Sequence, residues 1–189
     1  MSLSTDYGLL TEAFNLYTEV NQTWFKGHLP PIHIDSRKKR SSTSEAQERF
    51  LLCLSTKQML RTAGLFRYQV RRQGSRITYH PLAIILSGPL FSNPVYRQQE
   101  LASTLKHEML HCAQAIGYLE GQPIKPCHNA EFKWWAEHIG TTIRHTMTTE
   151  QPWIYRCAQC TQIFRRSRRI SARYVCGRCR GTLECIRSL

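Results

Sequence analysis

The sequence predicts an α+β protein in two parts, a larger domain over residues 1–150 and a small cysteine-rich domain over residues 151–189. Three observations lead to this prediction: a helical apolar repeat near the N-terminus, short β-type segments in the middle, and two cysteine pairs near the C-terminus. A chain of 189 residues is long enough for one modest core and an appendage. The predicted order is a helix, a small sheet, two helices and a ribbon.

The first predicted element is a helix over about residues 5–25, because apolar side chains such as Leu9, Ala13 and Val20 recur on one face. Five short strands are predicted next, over residues 32–34, 50–54, 65–70, 77–79 and 83–86. The basic, serine-rich stretch 36–48 is predicted to be a mobile loop. The segment 83–86 is a candidate edge strand for pairing with a peptide, and an ordinary core strand is the alternative.

A metal motif follows the sheet, in the segment His107-Glu108-Met109-Leu110-His111. In a helix the two imidazoles lie on one face about 5–6 Å apart at Cβ, close enough to bind one ion, and zinc is the first expectation. An apolar stripe of Leu101, Leu105, Met109 and Ile116 predicts that this helix is buried. A catalytic zinc keeps three protein ligands and one water, so Glu108 is the candidate general base.

The third ligand is predicted to be His128, which precedes a second helical pattern formed by Phe132, Trp135 and Ile139. Glycine and proline residues between the two helices let the second fold back over the first. Glu131 is a competing ligand for the same position. The other histidines have no companions at metal spacing and are assigned no role.

A second metal site is predicted from Cys157, Cys160, Cys176 and Cys179, which form two Cys-x-x-Cys pairs separated by fifteen residues. This spacing is typical of a zinc ribbon with four thiolate ligands, in which the ion replaces a core too small to be stable alone. Disulfides are the disfavoured alternative, since no secretory signal is visible near Met1. The chain is thus expected to bind two zinc ions, one catalytic and one structural.

The formal charge of +13 points to a nucleic-acid partner, and the charge is concentrated in the ribbon. Nine arginines and one acid, Glu184, lie between residues 151 and 189. The predicted phosphate contacts are Arg165, Arg166, Arg168, Arg169 and Arg173, because the planar guanidinium donates two parallel hydrogen bonds. A solvated basic loop is the alternative.

Aromatic residues interleave with these arginines, and Trp153, Tyr155 and Tyr174 are predicted to stack on unpaired bases of single-stranded or junction DNA. The alternative is that each ring belongs to the core of the ribbon itself. No apolar run of about 18 residues could span a bilayer, so an intracellular protein without a membrane partner is expected. Its location would be the nucleus in a eukaryote, or the cytoplasm or nucleoid in a prokaryote.

Several segments in this order resemble the SprT-like metalloproteases, the family of Spartan. The resemblance extends from Phe14 to Leu183. The matching segments are Thr62-Ala63-Gly64, Ile84-Ile85-Leu86-Ser87, the metal motif, His128-Asn129-Ala130-Glu131-Phe132, and Gly181-Thr182-Leu183 at the end of the ribbon. The resemblance implies a zincin-like domain with zinc bound by His107, His111 and His128 and water activated by Glu108.

The resemblance also implies a function, because members similar to Spartan cleave proteins trapped on DNA, are activated by DNA, and contact it through a small zinc sub-domain. The expected activity is therefore a DNA-dependent zinc endopeptidase acting on DNA-bound proteins in the repair of DNA–protein crosslinks. A non-catalytic zinc protein that binds nucleic acid or chromatin is the alternative. Two departures from the family pattern are the stretch 36–48 and the lack of a long tail after Leu189, where Spartan carries ubiquitin- and clamp-binding motifs.

Overall fold

The computed structural model describes residues 3–35, 49–56, 59, 62–143, 153–166, 169–171 and 173–188. The chain forms two compact units, Met1–Thr146 and Met147–Leu189, so the division falls close to the predicted boundary after residue 150. The predicted loop 36–48 lies outside the described residues, and so do residues 144–152 around the predicted boundary. No helix in the described ranges is both long and apolar enough to cross a bilayer.

The larger unit contains four helices and four strands in its described residues. In chain order they are α1 (Leu3–Phe25), β1 (Ile32–Asp35), β2 (Phe50–Ser55), β3 (Gly64–Gln73), β4 (Arg76–Ser87), α2 (Gly88–Phe91), α3 (Pro94–Ile116) and α4 (Ala130–His138). The mixed α+β class and the outline of a helix, a sheet and then helices confirm the prediction, whereas the short helix α2 was not predicted.

The sheet has the order β1-β2-β4-β3, with β1, β2 and β4 parallel and β3 antiparallel to β4. Helices α1 and α3 pack on it and on each other. Their shared core includes Tyr17 of α1, Ile84 of β4 and Leu105 and Met109 of α3, all almost completely buried. The metal helix is thus fixed on both sides, by α1 and by the sheet.

The separate strands predicted at 77–79 and 83–86 are a single strand, β4, that continues through Pro81. Proline cannot donate a hydrogen bond to a neighbouring strand, and it is tolerated in sheets mainly at edges and bulges. Here the register with β3 shifts between Arg67 and Tyr68, so that Tyr68 faces Pro81 while Arg67 faces Ala83. The proline is accommodated at this bulge, so the strand continues past it.

The prediction that residues 83–86 form an edge strand is wrong, because β4 lies between β2 and β3 and is paired on both sides. The edges of this sheet are β1 and β3. The edge strand β3 contacts the metal helix α3, as does the interior strand β4.

Helix α3 has well-defined ends. The side chain of Asn93 accepts hydrogen bonds from the N–H groups of Val95 and Tyr96, and Pro94 occupies the first helical position. Gly117 ends the helix in a left-handed conformation (φ 84°), and a Cβ there would lie 2.7 Å from the backbone of Pro123. This tight turn directs the chain towards the third histidine.

The smaller unit is a three-stranded antiparallel sheet of β5 (Trp153–Cys157), β6 (Ile163–Arg166) and β7 (Leu183–Ser188), in the order β6-β5-β7. Among its described side chains and glycines, Tyr155, Cys157, Cys176 and Gly181 are buried. Such a core is too small to stabilise a domain alone, which is consistent with stabilisation by a metal ion.

Candidate metal centre and its surroundings

Three histidines from two segments meet at one point of the larger unit. His107 and His111 lie one turn apart on α3, and His128 lies just before α4, whose N-cap is Asn129. The Nε2 atom of His128 is 3.0 Å from Nε2 of His107 and 3.1 Å from Nε2 of His111. The three predicted ligands are therefore brought together, and the rival Glu131 is not part of the cluster.

The chemistry of this cluster fits a metal ion. A hydrogen bond from His107 Nδ1 to the carbonyl oxygen of Thr142 (2.9 Å) places the ring proton on Nδ1, so that Nε2 carries the lone pair that can bind a metal. Burial lowers the pKa of His111 to about 4, so that imidazole is neutral at ordinary pH. In a tetrahedral zinc site with Zn–N bonds of about 2.0–2.1 Å, ligand nitrogens lie roughly 3.3 Å apart, close to the observed spacing.

Gln114, which is completely buried, organises the segment around His128. Its Oε1 accepts hydrogen bonds from His111 Nδ1 (3.3 Å) and from the backbone N–H of Cys127 (3.0 Å). Its Nε2 donates to Oδ1 of Asn129 (3.1 Å). One side chain on the metal helix thus contacts the residues before and after His128 and also orients His111.

Asn129 extends this network. Its Oδ1 also accepts the N–H of Phe132 and so caps α4, while its Nδ2 donates to Glu120 (2.8 Å). The ring of Phe132 is fully buried and lies 4.7–5.0 Å, centroid to centroid, from the three imidazoles. The three metal ligands therefore all pack against one buried aromatic ring.

Glu108 is 3% exposed and lies beside the cluster, between α3 and the start of β3. Burial raises the pKa of this carboxyl to about 8, while a hydrogen bond from the backbone N–H of Phe66 opposes the increase. A carboxyl whose pKa lies near neutrality is suited to accept and return a proton. A Cβ on Gly64 would lie 3.0 Å from the Glu108 carboxylate, so glycine leaves room for it.

The four predicted thiols of the ribbon also converge, and their sulfur atoms lie within 4.8 Å of one another. The N–H of Cys160 points at the sulfur of Cys157, and the N–H of Arg178 points at that of Cys176. Donation from the Cys160 backbone lowers the pKa of Cys157 to about 6, which favours the thiolate. The donor set and its arrangement are consistent with a four-thiolate zinc site.

The predicted DNA contacts of the ribbon have different exposures. Arg165, Arg166, Arg169 and Arg173 are exposed, and Arg168 lies outside the described residues. The guanidinium of Arg169 lies 5.9 Å from the ring centre of Trp153, which is half-buried.

The two tyrosines among these predicted contacts differ. Tyr174 is 62% exposed, whereas Tyr155 is 4% exposed. The hydroxyl of Tyr155 accepts the N–H of Ile170, so this ring belongs to the ribbon core. The prediction that Tyr155 stacks on a base is therefore wrong.

Sequence reasoning missed Gln114, Phe66 and Thr142 as partners of the site. The position of Gln114, three residues after His111, could have indicated that the two side chains meet on the helix. Phe66 and Thr142 act through backbone atoms, for which the residue type gives no signal.

Comparison with known proteins agrees with this architecture. A model of the SprT-like family matches residues 13–152, and the chain therefore belongs to that family. A protein named "Protein SprT-like" from Geobacillus kaustophilus (strain HTA426) is 28% identical over 131 residues, which cover 66% of this chain and 84% of the relative. The protein of the same name from Bacillus velezensis (strain DSM 23117 / BGSC 10A6 / LMG 26770 / FZB42) is 30% identical over 93 residues, covering 46% and 60% respectively. No solved structure gives a significant match.

Proposed function

We propose that this protein is a DNA-dependent zinc endopeptidase that cleaves proteins bound or crosslinked to DNA. The observation that carries the proposal is the convergence of three imidazole nitrogens beside a buried carboxylate, Glu108, on one helix. A purely structural metal site has no use for such a carboxylate. Membership of the SprT-like family agrees with this reaction class.

In the proposed reaction, His107, His111 and His128 hold zinc, which when bound supplies a Lewis acid that acidifies water and polarises a carbonyl group. Glu108 accepts the proton of the attacking water and returns it to the leaving amine. The N–H of Phe66 orients the carboxylate, and burial keeps its proton affinity high enough for this exchange. Cleavage of a peptide bond is the result.

The substrate is proposed to bind along β3. This strand is at the edge of the sheet, and its first residues, Gly64 and Phe66, lie beside Glu108. An extended peptide that adds to such an edge gains backbone hydrogen bonds with little dependence on its side chains. This mode of binding suits an enzyme that must accept many different proteins.

The ribbon is the proposed DNA-binding part. Exposed Arg165, Arg166, Arg169 and Arg173 offer phosphate contacts, and exposed Tyr174 offers a ring for an unpaired base. Binding by charge should weaken as salt rises. The logarithm of the affinity should fall linearly with the logarithm of the salt concentration, with a slope of about −0.9 per phosphate neutralised on duplex and about −0.7 on single strands.

The test is cleavage of a histone-like basic protein by the purified, zinc-loaded chain, with and without DNA and with and without a chelator. We expect cleavage that requires zinc and increases on addition of DNA. Cleavage that is indifferent to DNA would reduce the proposal to a basic zinc peptidase. DNA binding without any cleavage would favour the non-catalytic alternative.

A further inference from the structure

The far end of the β3–β4 hairpin is a second basic surface, located in the larger unit. Every residue from 69 to 77 is exposed, and this stretch contains Arg71, Arg72 and Arg76. No aspartate or glutamate occurs anywhere between residues 62 and 99. Among the described residues, no carboxylate forms an ion pair with Arg71 or Arg76. The hairpin therefore carries uncompensated positive charge.

The register of the two strands divides the hairpin into two different faces. Gln69 faces His80, Arg71 faces Thr78 and Gln73 faces Arg76, so these six side chains share one face. Hydrogen bonds within the face agree with this assignment, from Arg71 to Gln69 (3.4 Å) and between Thr78 and His80 (3.0 Å). We call these six residues the basic hairpin face.

The opposite face is mainly apolar and aromatic, and it also carries Arg72, which is paired with Ile77. It carries Val70, Ile77 and the paired rings of Tyr68 and Tyr79, whose centres are 5.7 Å apart. The basic hairpin face has no apolar side chain, and every one of its residues can donate a hydrogen bond. A surface of arginines among other hydrogen-bond donors is typical of contact with phosphate and sugar, whereas binding to a lipid surface needs an apolar anchor on the same face.

The basic hairpin face lies on the same strand as a residue that contacts the metal centre. Phe66, which donates to Glu108, is five residues from Arg71 on the same strand, a distance of roughly 17 Å at about 3.3 Å per residue. A protein attached to DNA must present its chain to the site while the phosphates remain nearby. A phosphate-binding surface within this distance satisfies that requirement.

We propose that the basic hairpin face binds the phosphate backbone of the DNA to which the substrate protein is attached. This inference rests on the proposed function and adds to it a DNA contact in the catalytic unit itself. Arg71 and Arg76 are the principal phosphate ligands, with Gln69, Thr78 and His80 as further hydrogen-bond donors. The contact is independent of base sequence, because it involves only the backbone.

The test measures DNA affinity as a function of salt for the zinc-loaded full chain carrying Glu108→Gln, so that cleavage plays no part. The variant Arg71→Gln/Arg76→Gln is compared with Lys26→Gln/Arg97→Gln, which removes the same charge elsewhere in the unit. We expect only the hairpin variant to lose affinity for a short labelled oligonucleotide beyond the small effect of net charge. Its salt slope should decrease by about 0.7–0.9 for each lost phosphate contact.

A charge-preserving variant, Arg71→Lys/Arg76→Lys, should keep most of the salt slope, and thermal unfolding of the glutamine variant shows whether that variant is folded. Equal affinities of the hairpin and control variants would overturn the proposal. So would loss of binding to vesicles of anionic lipid with unchanged DNA binding. If the parent chain binds DNA and the hairpin variant binds equally well, only this inference fails. If the parent chain does not bind DNA, both this inference and the DNA dependence of the proposed function fail.

Discussion

The side chain of Gln114 on the metal helix donates a hydrogen bond to Asn129 across 3.1 Å, while its oxygen accepts the backbone N–H of Cys127. These two bonds hold the chain on either side of His128. The third histidine lies in an exposed loop and is not held by the helix geometry that fixes His107 and His111. Its position therefore depends on a residue that binds no metal itself.

Replacing Gln114 by leucine should weaken zinc binding. The variant leaves the N–H of Cys127 without its partner and removes the acceptor that orients His111, and loss of such supporting hydrogen bonds typically costs 10–100-fold in metal affinity. Competition with a chromophoric chelator would measure the change. Gln122→Leu, the same replacement at an exposed position, is the control and should keep the parental affinity.

Stability should be measured beside affinity for this variant, because an unsatisfied buried group costs about 1–3 kcal/mol. Urea unfolding of the metal-free protein separates the two effects. An unchanged zinc affinity in a folded Gln114→Leu protein would show that the loop holds His128 without help from α3.

Glu108→Gln should abolish most of the cleavage and leave zinc binding intact. The amide oxygen can still accept the N–H of Phe66, but the side chain no longer takes up a proton. General-base assistance is typically worth 10²–10⁴-fold, so a decrease of about that size in kcat is expected. Glu131→Gln makes the same change in the first turn of α4, and as the control it should remain active. Full activity of Glu108→Gln would exclude Glu108 as the base.

Gly64→Ala should impair cleavage through its effect on Glu108. The added Cβ would lie 2.7 Å from Thr104 Cγ2 and 3.0 Å from the Glu108 carboxylate, so the strand or Thr104 must move and the carboxylate is crowded as well. A misplacement of about 1 Å can cost about 10²-fold in rate. The measurement is kcat at saturating substrate, together with zinc content.

Gly8→Ala is the matched control for Gly64→Ala. Gly8 lies within α1, and a Cβ there would have no atom within 4 Å. Since alanine is favoured over glycine in helices by roughly 0.5–1 kcal/mol, this variant should be slightly more stable and fully active. Wild-type rates for Gly64→Ala would mean that the carboxylate has more room than the structure indicates.

The sequence was sufficient to predict the local features of both metal sites, because those features depend on spacing alone. Two histidines four residues apart lie on one face of any helix, and paired Cys-x-x-Cys knuckles converge in any ribbon. The pairing order of the sheet was not predictable in this way. Strand β4 became an interior strand through parallel pairing with β2, for example Leu52 with Ile84, across a segment of more than thirty residues.

The Pro81 bulge and the role of Tyr155 show the same limit. A proline between two strand-like segments predicts a break, and only the register shift opposite Arg67 and Tyr68 explains why the strand continues. Tyr155 and Tyr174 have similar basic neighbours in the sequence, yet one hydroxyl accepts the N–H of Ile170 inside the ribbon and the other ring is exposed. Burial is a property of the folded unit and not of the motif.

Removal of metal should have unequal effects on the two units. The ribbon has few buried residues apart from Tyr155 and two of its cysteines, so chelation should unfold it, whereas the larger unit has an extensive core and should stay folded. Hydrogen exchange would show this as loss of protection in β5, β6 and β7 with retained protection in β2 and β4. Equal loss in both units, or none in the ribbon, would contradict the expectation.

Tyr174 and Tyr155 offer a direct test of how the ribbon contacts single-stranded DNA. Tyr174→Leu removes an exposed ring and should weaken binding by about 1–3 kcal/mol if a base stacks there, without loss of stability. Tyr7→Leu removes a comparably exposed ring (59%) from the larger unit and should leave binding unchanged. Tyr155→Phe should lower the stability of the ribbon by removing the acceptor for Ile170, yet keep the intrinsic affinity of the folded protein. Titration of a labelled single strand, combined with thermal unfolding, distinguishes these outcomes; equal affinities of Tyr174→Leu and Tyr7→Leu would leave the arginines alone to account for DNA binding by the ribbon.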